Sequence, residues 1–251
     1  MYCLHVDASN AQIDFPVMVL IKGSTTMGVM KQSQEIDCHQ AVCDADPTAV
    51  PQLVRMAEAE NTYAIVWEAG INLTANGSTL RYLIQCYPSP LKLFDRVCTL
   101  LEALYAACVI HGDIKPSNFI LRLNGTLALI DFSGSSKALM TPHGDVIQCE
   151  AQSICAVTET YAAPELLRMQ QLIHTADATS PTTVTNSVDV YSAGKTLHAW
   201  LNVLRYNANE VASLMPIIMK MITYEPENRV TVYQLRALIN DAMESNYISL
   251  S

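Results

Sequence analysis

The eight residues His111-Gly-Asp-Ile-Lys-Pro-Ser-Asn118 constrain this chain more than any other stretch. Before them, Leu91, Phe94, Val97, Cys98, Leu101, Leu104 and Tyr105 recur at three- and four-residue spacings, which predicts a helix from Leu91 to Val109 with one buried face. Ser89-Pro90 supplies its N-cap and first-turn proline. After them come Phe119-Ile-Leu-Arg-Leu, then Asn124-Gly125, then a second apolar run from Thr126 ending in Asp131-Phe132. Asn-Gly between two apolar runs predicts a β-hairpin with a type I′ turn. Asp113, Lys115 and Asn118 therefore fall on a loop held between rigid elements, and Asp131 falls just past a buried strand. Two acids, an amide and a lysine are thus brought to one place.

That set suits phosphoryl transfer, in which one acid orients an attacking hydroxyl while an amide and a second acid hold Mg²⁺. The octapeptide resembles the His-Arg-Asp-Leu-Lys-x-x-Asn catalytic loop of eukaryotic-type serine/threonine protein kinases. Asp131-Phe132-Ser133 resembles their Asp-Phe-Gly, and Thr158-Glu-Thr-Tyr161-Ala-Ala163-Pro164-Glu165 resembles the end of their activation segment. Asp189-Val-Tyr-Ser-Ala-Gly194 and Glu225-Pro-Glu-Asn-Arg229 resemble two later motifs, so the likeness runs in family order from about Val66 onward. The segment around His111 also resembles the spindle-checkpoint kinases of the Bub type.

The resemblance implies an α+β, two-lobed fold, with a small antiparallel β lobe over residues 1–68 and a larger helical lobe over 69–251. It implies ATP and Mg²⁺ as cofactors, a protein substrate with a Ser or Thr acceptor, Asp113 as base, Lys115 against the γ-phosphate, and Thr158 bonded to both. Asn118 and Asp131 would hold the metal. Backbone groups of Glu68 and Gly70 would face adenine. Glu165 with Arg229 would form a buried ion pair, and Asp189 would brace the catalytic loop.

Three departures from the family pattern stand out. The stretch Ala8–Gln12, in the place of the phosphate-covering loop, contains no glycine. Gly112 replaces the arginine that pairs with a phosphorylated activation segment, which weakens the case for that kind of switching. Ser133 replaces a glycine and narrows the backbone choices after Asp131. They leave a pseudokinase scaffold as the alternative function.

The rest of the small lobe reads as strands at Tyr2–Asp7, Phe15–Lys22 and Met27–Lys31, then a short helix over Ser33–Ala45 capped by Ser33. Counting strands makes Lys31 the nucleotide lysine, with Glu35 as its partner. Distance to the helix favours Lys22, in Val-Leu-Ile-Lys, as the alternative. Val50–Ala57 and Thr62–Trp67 read as a hairpin, residues 168–186 as a polar loop, and Val188–Leu204, Glu210–Met221 and residues 231–245 as helices.

Half of the 251 residues are hydrophobic and only 16% are charged, enough for a sizeable core and too apolar for a disordered chain. A net charge of −9 without a basic cluster disfavours a general nucleic-acid binder. The cysteines form no Cys-x-x-Cys pair and sit mostly in apolar contexts, as buried free thiols of a reducing compartment do. No apolar run reaches membrane-spanning length and no signal peptide is evident, so an intracellular protein of cytoplasm or nucleus is expected. The start at Met1 suggests a free-standing protein. The oligomeric state has no signature.

Overall fold

The computed structural model of the chain describes residues 17–23, 26–59, 62–73, 77–140, 147–150, 154, 157–174 and 183–249. Strand β1 (Val17–Gly23) leads into helix α1 (Thr26–Ala45). The hairpin of β2 (Leu53–Ala59) and β3 (Thr62–Glu68) follows, as its two apolar runs predict. These strands form one antiparallel sheet in the order β1-β3-β2, with Lys22 opposite Tyr63 and Val17 opposite Glu68.

Two expectations fail here. Met27–Lys31 is not a strand but the first part of α1, and Ser33 lies inside that helix rather than capping it. Met, Lys and Gln are strong helix formers, and no proline separates Lys31 from the periodic residues beyond it, so the helix extends backward through them. The expected strand at Tyr2–Asp7 and the stretch Ala8–Gln12 lie outside the described residues.

The larger lobe is built on α3 (Pro90–Ala106), whose proline occupies the first turn as expected, although the Ser89 side chain makes no capping bond. Leu93, Phe94, Cys98, Leu100 and Leu101 on this helix are buried against α5 (Ser187–Val203), α6 (Ala208–Met221) and α7 (Val232–Ser249). Full burial of each large apolar side chain contributes about 1.5–3 kcal/mol. Arg236 on α7 fastens to α3 through Glu102 at 2.6 and 2.8 Å, through Thr99 at 3.0 Å, and through Asp95. Helix α2 (Gly77–Cys86) completes this side of the core through Leu80 and Leu83. Among the described residues, no helix is long and apolar enough to cross a membrane.

Beyond α3, β4 (Gly70–Asn72) pairs with β6 (Phe119–Arg122), which pairs with β7 (Leu127–Leu129). The β6–β7 hairpin forms where Asn124-Gly125 predicts one, but with a different turn. Gly125 N donates to Arg122 O at 2.9 Å, and only Gly125 of the pair has positive φ, at +83°. The loop therefore holds three residues and ends in a left-handed glycine rather than in two left-handed residues. Asn124 serves it through its side chain, accepting from Thr126 N at 2.9 Å.

The segment after Asp131 is stitched down by strands. Strand β8 (Ser136–Lys137) pairs with β5 (Val109–Ile110). A second sheet runs β11-β10-β9 through β9 (Leu139–Met140), β10 (Ile147–Glu150) and β11 (Thr183–Thr185). The expected loop over 168–186 is therefore partly ordered, by α4 (Pro164–His174) at its start and β11 at its end.

Arg122 joins the two lobes at the end of β3. It is buried, grips Glu68 with Nε at 3.0 Å and Nη2 at 2.7 Å, and donates to Pro47 O at 3.2 Å. Arg122→Gln is expected to cost about 1.5–3 kcal/mol, the range for hydrogen bonds to charged groups. Urea unfolding reads this directly, and a loss within about 0.5 kcal/mol would show that the clamp adds no stability.

Candidate active site

The catalytic-loop candidate begins where β5 ends. Asp189, in the first turn of α5, accepts from His111 N and Gly112 N at 2.8 Å each. Its carboxyl is buried, and that burial pushes its pKa above the ordinary range while the two amides oppose the shift. Gly112 adopts φ +79°, which an L side chain rarely adopts. Asp189 therefore braces the loop as the resemblance implies.

His111 is fully buried and bonds on both ring nitrogens. Asp113 N donates to Nδ1 at 3.3 Å, so the ring proton sits on Nε2 and faces Ile130 O at 3.2 Å. The imidazole is a neutral spacer between the loop and the strand that carries Asp131.

Asp113 lies at the centre. Its Oδ2 takes Lys115 Nζ at 2.6 Å, and the same ammonium donates to Thr158 Oγ1 at 2.8 Å. Asn118 Nδ2 donates to Asp113 O at 2.9 Å, which leaves Asn118 Oδ1 as the atom to offer a cation. Asp113 Oδ1 is buried and has no hydrogen-bond partner among the described residues. A buried carboxylate oxygen without a bond is costly unless something else occupies the site.

Asp131 is exposed, follows β7 with φ 67° and ψ 68°, and accepts from Ser133 Oγ at 2.6 Å. Ser133 is not among the positive-φ residues, so serine is accommodated without strain. Ile130 N bonds Asn118 O at 2.9 Å, which sets Asn118 beside the strand end that delivers Asp131. Among the described residues there is no cluster of three or more His, Cys, Asp or Glu fit to hold a metal alone. Asn118 and Asp131 supply two oxygen donors, a set that fits Mg²⁺ when phosphate oxygens and water complete its shell.

Helix α1 docks on this assembly. Gln34 Nε2 donates to Ser135 O at 2.9 Å, and Ser135 Oγ donates to His111 O at 3.2 Å. His39 lies 4.0 Å from the Trp67 ring and 5.7 Å from Phe132, which in turn lies 5.0 Å from His111. These rings form a continuous series of tilted and edge-on contacts from β3 to the catalytic loop. Sequence reasoning missed His39, although its spacing four residues after Glu35 puts both on one helical face. Glu35 is buried. Lys31 lies one turn before Glu35 on the same helix, whereas Lys22 lies on strand β1. The strand assignment behind the choice of Lys31 is thus corrected.

At the margins, Glu68 N donates to Gln52 O at 2.9 Å and its carboxylate is held by Arg122, while Gly70 pairs with Arg122 in the β4–β6 ladder. Arg229 pairs with Glu165 at 2.6 and 3.1 Å in a buried bidentate contact, as expected from the two motifs. It also donates to Ser187 O, Thr223 O and Tyr224 O. Cys38, Cys98 and Cys149 are buried free thiols, but Cys86 is exposed. Burial pushes the Cys38 thiol up to about 11.

Two measurements follow from these contacts. Burial lowers the pKa of His39 from 6.5 to about 4, although the Pro51 backbone offers it a hydrogen bond. The folded state therefore favours neutral His39. Its contribution is complete above pH 6.5 and is lost as pH falls toward 4, by on the order of 3 kcal/mol in all. His39→Phe keeps the aromatic stack and is expected to flatten the acid slope of the melting temperature; an equally steep slope in the variant would assign it to other groups. Glu165→Ala leaves the buried Arg229 unpaired and is expected to cost about 3–5 kcal/mol by denaturant unfolding.

Comparison with known proteins agrees with this geometry. The protein kinase domain family model matches residues 25–211. The chain is 34% identical over 118 residues to the dual specificity protein kinase zak2 of Dictyostelium discoideum, covering 47% of this chain and 16% of that protein. It is 27% identical over 180 residues to the human hormonally up-regulated neu tumor-associated kinase, covering 70% of this chain and 22% of the relative. It is 22% identical over 242 residues to the probable serine/threonine-protein kinase MARK-C of Dictyostelium discoideum, covering 86% and 28%. The matched region thus spans less than a third of each relative. With the family model matching well over half of the chain, and with the brace, loop and ion pair in place, the chain belongs to the protein kinase domain family.

Proposed function

We propose that this chain transfers the γ-phosphate of ATP, with Mg²⁺, to a Ser or Thr hydroxyl of a protein substrate. The observation that carries this reading is the Asp113–Lys115–Thr158 contact, in which Lys115 Nζ donates to Asp113 Oδ2 at 2.6 Å and to Thr158 Oγ1 at 2.8 Å. In the reaction the acceptor oxygen attacks the γ-phosphorus and passes its proton to the Asp113 carboxylate. The bond to the β–γ bridging oxygen breaks and ADP leaves. Lys115, held by Thr158 as well as by Asp113, would stay beside the γ-phosphate to offset charge that develops there.

Asn118 Oδ1 and Asp131 would hold the metal, which supplies charge neutralisation to the phosphates. Lys22 is the better candidate than Lys31 for the nucleotide lysine. It lies on a strand beside Glu68-bearing β3, and buried Glu35 follows on α1, whereas Lys31 shares the helix with Glu35. Glu68 and Gly70, between the β1–β3 sheet and the β4–β6 ladder, would present backbone to adenine at the junction of a small lobe ending near residue 68 and a larger lobe beyond it. The Lys115–Thr158 contact favours Ser and Thr as acceptors. The alternative, a pseudokinase scaffold, draws on the glycine-free stretch Ala8–Gln12.

The test is transfer of labelled γ-phosphate to the chain itself and to a generic basic protein. Asp113→Asn is expected to lower the rate about 10²–10⁴-fold, the usual range for a positioned acid–base group. Lys22→Met should be similarly damaging and Lys31→Met should not. Transfer that survives Asp113→Asn would remove Asp113 from the chemistry. No transfer by the wild type, with no thermal shift on adding Mg·ATP, would favour the scaffold.

A further inference from the structure

A Cβ built on Gly112 would lie 2.5 Å from Ile154 Cγ2, 3.2 Å from its Cδ1 and 3.6 Å from its Cβ. The space a side chain would take at position 112 is therefore filled by Ile154, which is 3% exposed. Ile154 belongs to a second hydrophobic cluster, separate from the main core, that includes Ile110, Ile147, Ala163, Val184 and Val188. That cluster joins β5 to the segment after Asp131 and to the start of α5.

We propose that Ile154 is a positioning residue for phosphoryl transfer, an apolar latch that seats the segment carrying Thr158 on the backbone carrying Asp113. This rests on the phosphotransfer reading above. Two contacts bracket Asp113. Ile154 covers Gly112 on one side of it in sequence, and Thr158 bonds Lys115 on the other. Gly112 N is meanwhile held by Asp189. Gly112, the residue before Asp113, is thus held at its N–H by a carboxylate and covered by an isoleucine methyl group.

The latch has its own backing. Strand β10 pairs with β11 at Gln148–Thr185, Cys149–Val184 and Glu150–Thr183. Asn186 N donates to Ile147 O at 3.0 Å, and Ile147 N donates to Asn186 Oδ1 at 3.4 Å. Asn186 is the residue before α5, so the same helix start that supplies Asp189 also anchors β10, four residues before Ile154 at the closest. An isoleucine packed over a glycine needs no charged group to hold it, unlike an arginine–phosphate pair.

The test measures kcat and KM for ATP in Ile154→Ala, Ile154→Val and Gly112→Ala, with hydrogen exchange over residues 109–118. Ile154→Ala is expected to lower kcat about 10- to 100-fold while KM for ATP stays within about twofold, because misplacement of a catalytic group by an ångström costs about that much. Ile154→Val should keep most of the rate. Gly112→Ala should lose rate by collision with Ile154, and the double variant Gly112→Ala/Ile154→Ala should recover part of it. Unchanged kcat in Ile154→Ala would overturn the proposal, as would a fall of kcat and KM together that Ile154→Val shares. If the wild type transfers no phosphate, the functional reading fails and hydrogen exchange still judges the latch. Faster exchange at residues 111–115 in Ile154→Ala supports the contact, and unchanged exchange refutes it.

Discussion

The two hydrogen bonds from His111 N and Gly112 N to Asp189 are the contacts on which the site depends. A carboxylate this deeply buried is stable only if its oxygens are satisfied, and the catalytic loop supplies both donors. In return the loop's first peptide units are fixed relative to α5, which packs on α3 in the larger lobe. With those planes fixed, the His111 ring meets Asp113 N and Ile130 O at once. Asn118 then returns to Asp113 O, and the loop closes on itself. No loop of this composition would hold such a shape unaided, because its backbone donors have other turns open to them.

Ring contacts couple α1 to the loop. Trp67, His39, Phe132 and His111 meet in series through tilted and edge-on contacts, and only the ends of the series belong to the β3 strand and the catalytic loop. His39 serves there as a flat, neutral ring. Its Nε2 is buried without a partner among the described residues, which is the cost of placing an imidazole where a hydrocarbon ring would fit. The Gln34–Ser135 and Ser135–His111 hydrogen bonds run parallel to the stack and set its register. A shift of α1 relative to the loop would disrupt these ring contacts and hydrogen bonds together.

The larger lobe was legible in the sequence, and in the small lobe the β2–β3 hairpin was legible while the stretch from Met27 to Ser33 was not. The apolar period of α3, the Asn-Gly turn and the late helices are local signals, and each element formed within a few residues of its expected place. Lys115 meets Asp113 within one short motif, whereas the Lys115–Thr158, Asp189–His111 and Arg229–Glu165 contacts span 43 to 78 residues and were expected only from the resemblance. The failures share a cause. A five-residue apolar run such as Met27–Lys31 satisfies strand and helix patterns alike, and only its continuity with residues 32–45 decides between them. The turn type failed because Asn-Gly permits a left-handed residue at both positions but requires it at neither. Contacts such as Ile154 on Gly112 or Arg122 on Glu68 join residues far apart in the chain, and no local pattern announces them.

The departures from the family pattern acquire structural partners here. Ser133, in place of a glycine, donates to Asp131 Oδ1 and holds a carboxylate whose backbone sits in the left-handed region. Aspartate is one of the few residues besides glycine that visit this region, and the Ser133 hydrogen bond helps fix its side chain there. Gly112, in place of an arginine, gives up a cation but makes room for a buried isoleucine. Arg122 meets the Glu68 carboxylate with two donors. Random loss of a motif residue leaves a cavity or an unpaired charge. At positions 112 and 133 the substituted residues are instead met by complementary contacts, the pattern expected of a loop whose geometry is still maintained.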